Sequence, residues 1–264
     1  MAIRFSVLGS GSGGNATCIE GGGARVLLDA GFSCRELGVR LQSVGVEPHR
    51  LDAIVITHEH ADHISGAALF SQKHKVPLYC TAATFRAAGL QRAGVHGHGV
   101  FAHVAVEAGT PFDVGGLRLL PFPVPHDAVD TVGYVVECEG ERVGYATDLG
   151  HDPLPVREAL MDCDVLMLES NHDVEMLRQG PYPQVIKDRV LGRHGHLDNG
   201  TAAALVCDVA TERTRRVILA HLSRTNNRPD LALRAARGEF ERRGRKAPDV
   251  LPARQAAPSD WFEV

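Results

Sequence analysis

The segment VITHEHADH presents His58, His60, Asp62 and His63 within six residues. Three imidazoles and a carboxylate so close together repel one another when charged, and each is costly when buried unpaired. A bound metal removes both penalties. His58 and His60 alternate at a strand end and point the same way, while Asp62 and His63 fall on the turn where a helix starts at Ile64, so one turn can face two neighbouring ions. Further donors stand where other apolar runs give way to loops: His126 in PFPVPHDA, Asp148 in GYATDLG and His221 in VILAHLS. Strand ends are where sheets present functional groups. The seven donors include no thiolate, so they do not select zinc by softness; manganese and iron fit as well. Two ions ~3.5–4 Å apart lower the pKa of a shared water to about 7 and clamp the attacking and leaving oxygens of a phosphodiester.

These donors need a sheet to hold them. β-type runs recur at 51–57, 76–80, 117–122, 131–137, 142–148, 164–170 and 216–221, with helix-like segments at 64–74, 83–93, 200–210 and 228–243. The order is two strands, then helix–strand units, then a second series of the same kind. That pattern predicts an α/β fold, a four-layer αββα sandwich forming one domain over 1–264, with a proline-rich return ending in an edge strand. The opening IRFSVLGSGSGGNA fits G-x-G-x-x-G at Gly9, Gly11 and Gly14, which raises dinucleotide binding. The next residues, ATCIE, a glycine turn and RVLLDAG, read as strand–turn–strand with no helix to face a pyrophosphate, and they exclude that reading.

Composition narrows the class. With 264 residues, 44% of them apolar, the chain can bury a large core. No stretch approaches the ~18 uncharged apolar residues of a membrane span and no basic segment precedes an apolar signal core, so a cytoplasmic protein without a membrane partner is expected. Six scattered cysteines without a C-x-x-C pair read as buried free thiols. The net charge is −4, yet residues 212–246 hold eleven Lys and Arg against four Asp and Glu, leaving −11 elsewhere. An acidic body with a basic C-terminal region suits a polyanion drawn to one face; the plain alternative is a solvated helix.

In order, Asp29, HEHADH, His126, Asp148 and His221 resemble the five motifs of the metallo-β-lactamase-fold hydrolases across nearly the whole chain. VLGSGSGGNAT, LESNHDVEMLRQGPYP, GHLDN and LAHLSRTNN resemble more specifically the YycJ-type 5′→3′ DNA exonucleases. The resemblance implies two divalent metal ions: His58, His60 and His126 would hold one, Asp62, His63 and His221 the other, and Asp148 would bridge. Asp62 would serve catalysis as well, and Asp29 would orient the loop from behind. The glycine stretch becomes a tight crossing beside the metals, where Ser10 and Asn15 either make the turn or touch substrate. As in related metal-dependent ribonucleases, Glu169 would orient His196 as general acid. Asn171 and His172 are candidate substrate contacts, as is Asn199, whose helix N-terminus offers a phosphate site. Asp198 departs from the serine usual in GHLDN, and its carboxylate would repel a phosphate unless it caps the helix. His96, His98 and His103 read as surface residues. The implied activity is DNA exonuclease in repair or replication, with nucleic acid as partner, DNA ahead of RNA. A small cyclic phosphodiesterase or a thioester hydrolase is the alternative, and oligomeric state stays open.

Overall fold

The computed structural model describes residues 2–90 and 99–264. The first sheet contains β1 (Arg4–Gly9), β2 (Ala16–Gly21), β3 (Ala24–Leu28), β4 (Ala53–Val55), β5 (Leu78–Thr81) and β6 (His103–Val106). The second contains β7 (Phe112–Val114), β8 (Leu117–Pro123), β9 (Val132–Cys138), β10 (Glu141–Ala146), β11 (Val165–Glu169), β12 (Arg216–Ala220) and β13 (Asp249–Pro252). The chain closes with β14 (Phe262–Glu263), an edge strand beside β1. The helices are α1 (Cys34–Ser43), α2 (Ala61–Ile64), α3 (Ala67–His74), α4 (Ala82–Ala87), α5 (Leu154–Leu160), α6 (Val174–Gln179), α7 (Gln184–Leu191), α8 (Asn199–Val209) and α9 (Pro229–Arg242).

Successive strand side chains point to opposite faces, and here both faces are apolar. On β4, Ala53 and Val55 join the core between the sheets while Ile54 packs with Leu37, Leu41 and Phe70 of α1 and α3. On β11, Val165 and Met167 face the other sheet while Leu166 and Leu168 pack with Leu205, Val206 and Phe240 of α8 and α9. Three cores between four layers result, as the αββα reading predicts. β10 through β13 pair in parallel, as do β3 through β6, so helical crossovers return each strand to the same starting end. The ends where those strands finish therefore lie together, and that is where the candidate ligands sit.

β1 pairs antiparallel with β2, and β2 with β3, so no helix follows the first glycine loop, in keeping with the exclusion of a dinucleotide fold. Several expectations need correction. The helix expected over 64–74 breaks at Ser65–Gly66, where Gly66 N donates to Ala30 O and draws the chain onto the Asp29 corner. The helix expected over 83–93 stops at Ala87, and its last residues lie outside those described. His96 and His98 also lie outside them; His103, expected at the surface, is half-buried and stacks on Phe85 at 3.8 Å. All six cysteines are buried and outside any disulfide, and among the described residues no helix is long and apolar enough to cross a membrane.

Candidate metal centre

Three corners build the site. Asp29 follows β3 at φ 57°, Asp148 lies just past β10 at φ 55°, and His221 follows β12 at φ 53°. A left-handed backbone costs a non-glycine residue ~1–2 kcal/mol, so surrounding bonds must hold each corner. Asp29 N donates to Val55 O at 2.8 Å, and His221 N donates to Ser10 Oγ at 2.8 Å. The Asp29 carboxylate, wholly buried, accepts from Thr57 N at 2.9 Å, His63 Nδ1 at 2.8 Å and the Tyr145 hydroxyl at 3.0 Å. It thereby fastens the start of HEHADH from behind.

The ring contacts assign tautomers. His126 Nδ1 lies 3.1 Å from Gly195 O, which can only accept, so this nitrogen carries the proton and Nε2 keeps its lone pair. By the same logic the Asp29 bond leaves the His63 Nε2 lone pair facing inward, 2.9 Å from Asp148 Oδ2. His126 Nε2 stands 3.3 Å from His60 Nδ1, and His221 Nε2 stands 3.3 Å from Asp62 Oδ2. Donor atoms of His58, His60 and His126 fall within 4.8 Å of one another, as do those of Asp62, His63 and His221. Asp148 touches both sets, through His63, through His126 at 3.7 Å and through His221 at 3.4 Å.

A metal fits this arrangement on two counts. Buried His58 Nε2 and Asp148 Oδ2 have no hydrogen-bond partner, a costly state that an ion relieves. Two ligands ~2.1 Å from one ion stand ~3–3.5 Å apart, close to the separations found here. The outer ring nitrogens of His63, His126 and His221 donate to carboxylate or carbonyl, the arrangement that orients metal-binding imidazoles.

Electrostatics couple the buried carboxylate to its imidazoles, so a metal must displace protons here. Burial would raise the Asp148 carboxyl, but the His221 and His63 imidazoles hold it well below the usual range. Burial pulls the His221 imidazole down, yet Asp148 and its bonds to Asp62 and Glu169 raise it to about 10. His58 is pushed well below the ordinary value by burial and by its histidine neighbours.

Residues 24–222 match the model of the β-lactamase superfamily domain. The chain is 32% identical to the exodeoxyribonuclease YycJ of Bacillus anthracis, covering 92% of this chain and 91% of the relative. The chain belongs to this superfamily. It is also 33% identical to the exodeoxyribonuclease WalJ of Streptococcus pneumoniae, over 88% of this chain and 86% of that one. The crystal structure of YhfI from Bacillus subtilis, a metallo-β-lactamase-fold protein, superposes with a TM-score of 0.74 at 16% identity, covering 98% of this chain and 100% of its own. The protein is thus a metal-dependent hydrolase of the metallo-β-lactamase fold, related to the YycJ and WalJ exonucleases, and its histidine and aspartate sets imply divalent metal ions.

Within this hydrolase Glu169 is completely buried and saturated: Oε2 accepts from Leu149 N at 2.9 Å and Leu197 N at 3.0 Å, while Oε1 faces His196 Nδ1 and His221 Nδ1, each at 2.8 Å. Burial would raise its carboxyl, but the His196 charge and the imidazole bonds hold it at about 2. His196 belongs to neither triad, and one of its ring nitrogens falls within 4.8 Å of donor atoms of Asp148, Glu169 and His221. Asn15 lies at the glycine crossing: its Nδ2 is 3.0 Å from His63 Nε2, its Oδ1 accepts from Ser10 Oγ at 3.0 Å, and its backbone N donates to Asp62 O at 2.7 Å. A Cβ on Gly31 would stand 1.7 Å from Asp62 O, so only glycine permits this crossing.

Ser10, Asn15 and Asn199, candidate substrate contacts in the sequence, hold partners within the protein. Ser10 and Asn15 are buried and spend their side chains on His221 and the HEHADH turn. Asn199 is locked to Ser170 at 2.7 Å and Asn227 at 2.9 Å. Its helix does not offer free amides: Asn199 N donates to His172 O, and Asp198 Oδ1 accepts from Gly200 N and Thr201 N at 2.8 and 3.1 Å. Asp198 is thus a helix cap. Asn171 Nδ2 donates to His221 O at 3.0 Å, and His172 is buried with both ring nitrogens unpartnered. Sequence reasoning missed Asp127, whose Oδ1 is 3.2 Å from His126 Nε2, and Arg189, which binds its other oxygen. Adjacency to His126 was a usable signal for Asp127; Arg189 offered none.

Proposed function

We propose that this hydrolase is a dinuclear phosphodiesterase that trims DNA from its 5′ end, with 1–264 acting as one catalytic domain. His58, His60 and His126 would hold one ion, Asp62, His63 and His221 the other, and Asp148 both, with zinc, manganese or iron as the metal. The pair would supply Lewis acidity at the phosphoryl group and lower the pKa of a bound water. The protein's own contribution begins with Glu169, which fixes His196 Nδ1 and leaves Nε2 to protonate the leaving oxygen.

The observation that carries this reading is that pair, 2.8 Å apart and outside both triads. An alkoxide leaves poorly unless protonated, whereas a thiol, with a pKa of about 8.5, leaves without help. A built proton donor therefore favours a phosphodiester over a thioester. DNA and the direction of trimming follow the YycJ-type resemblance and the relatives' names. Six buried thiols outside any disulfide suit a reducing compartment, and we place the activity in the cytoplasm.

The test is metal-loaded protein incubated with 5′- or 3′-labelled DNA, RNA, a cyclic nucleotide and a thioester. Mononucleotides released first from the 5′ end of DNA are expected. Hydrolysis confined to the cyclic nucleotide or the thioester overturns the proposal.

A further inference from the structure

Helix α7 carries no buried residue, although its sequence QVIKDRVL is half apolar. Val185 is 77% exposed, Leu191 44% and Ile186 37%. A helix held by packing would turn such residues inward. This one is held by polar staples around the metal centre instead. Arg189 binds Asp127 Oδ2, whose other oxygen is 3.2 Å from His126 Nε2; His196 N donates to Val190 O at 3.0 Å; and Gly195 O accepts from His126 at 3.1 Å. The last turn of α7 thus lies against the rim of the cluster.

Its charge differs from that of the chain. Residues 184–193 hold Lys187, Arg189 and Arg193 against Asp188, a surplus of two on a protein of net charge −4. Arg189 is more than half exposed, so solvent or a ligand can reach the guanidinium while it holds Asp127. Exposed aliphatic side chains interleaved with cations, continuous with a phosphodiester-cleaving centre, match one occupant. A single strand offers base faces and a phosphate backbone together, whereas a duplex hides its bases in the stack.

We propose that α7 is the binding surface for the single-stranded end of the nucleic acid: Arg189 exchanges Asp127 for a backbone phosphate, and Val185, Ile186 and Leu191 lie against the unstacked bases. The proposal rests on the phosphodiesterase reading. When Arg189 lets go, the Asp127 side chain, 27% exposed, is left to solvent rather than to an empty interior, so the exchange does not strand a charge.

The experiment measures binding and turnover separately, using metal-loaded protein, a fluorescent oligothymidylate, its phosphorothioate analogue for binding, and bis(p-nitrophenyl) phosphate as a small ester. Val185→Ser combined with Ile186→Ser should weaken oligonucleotide binding about five-fold or more and raise KM rather than lower kcat, with metal content and small-ester hydrolysis at the parent level. Arg189→Gln should weaken binding and reduce the slope of log affinity against log salt by about one. Asp127→Asn separates exchange from mere stapling: a released Arg189 should bind the strand as well as or better than the parent, whereas a helix needing its staple should bind worse. Parent-like binding in the serine variant, or weakened binding in Asp127→Asn with metal content intact, overturns the proposal. A parent that binds the strand through α7 but cuts neither it nor the small ester removes the phosphodiesterase reading and leaves the surface standing.

Discussion

Just before β11 begins, the Asp164 carboxylate accepts from Arg142 N at 2.9 Å, Arg213 Nε at 3.0 Å and Arg215 Nη2 at 3.1 Å; where β11 finishes, Glu169 accepts from two peptide amides and faces two histidines. Both carboxylates are buried and both are held below their ordinary range against the effect of burial. The partners differ in kind. A guanidinium cannot give up its proton, so the Asp164 end is neutralised permanently and can only hold the sheet together. Imidazoles exchange protons near neutral pH, so the Glu169 end can pass a proton on or yield to a metal. One strand therefore has a structural end and a chemical end.

Breaking the chemical end should give the largest effect. Asp148→Ala removes the carboxylate shared by both triads, and metal analysis should find one ion or fewer per chain, with a rate loss on the order of 10³-fold for the several kcal/mol of charge stabilisation lost. Full occupancy of two ions in this variant would dismiss the shared-ligand assignment. His196→Ala should retain its metal and lose ~10²–10⁴-fold in rate on substrates with alkoxide leaving groups, less on nitrophenyl esters. Equal losses on both would remove the proton-donor role.

Breaking the structural end should leave chemistry alone. Asp164→Ala should destabilise by about 1–3 kcal/mol, toward the lower figure because its arginines are half-exposed and screened, with metal content and turnover unchanged. Acid separates the ends further. The folded Asp164 pKa is depressed, so its contribution is fully present above the unfolded value of ~3.9 and is lost as pH falls through the folded value. Metal should leave earlier, because protons compete for the ligating imidazoles, His221 foremost, whose carboxylate neighbours raise its pKa to about 10. A single merged transition in metal content and fold would erase the distinction.

The smallest effect is expected where charge alone suggested the most. In the basic segment Arg242 pairs with Glu239 at 2.5 Å, Arg237 donates to Val250 O at 3.1 Å, and Arg234 is 3.6 Å from Asp230. α9 starts beside the buried Asn227 network and ends against Cys207 and Ala210 at the far end of α8, so its last turn points away from the site. Replacing Arg234, Arg237 and Arg242 with Ala should change DNA affinity and its salt slope little; a marked loss would restore this helix as a DNA contact.

The same contrast explains how much was legible in the sequence. Ligand types at strand ends stand out because an apolar run stops at a chemistry-bearing residue, and the layers follow from strands apolar on both faces. α7 was invisible because nothing in it is buried, so no periodicity marks it, and α6 because it is only six residues long. β13, hidden in the proline-rich return, pairs on one side only and so tolerates Pro252. For Ser10 and Asn15 the sequence leaves turn-making and substrate contact open, because polar residues near a site look alike until their partners are known.

The left-handed corners at Asp29, Asp148 and His221 carry a consequence for the metal-free protein. Asp148 and His221 spend conformational energy on side chains aimed at the centre, so the empty enzyme should be less stable than its fold allows. Glycine adopts that backbone without penalty. Metal-free Asp148→Gly should therefore melt above metal-free Asp148→Ala by a margin worth ~1 kcal/mol, while binding metal no better. The proposed shared ligand is, at that corner, a residue that the bare scaffold would do better without.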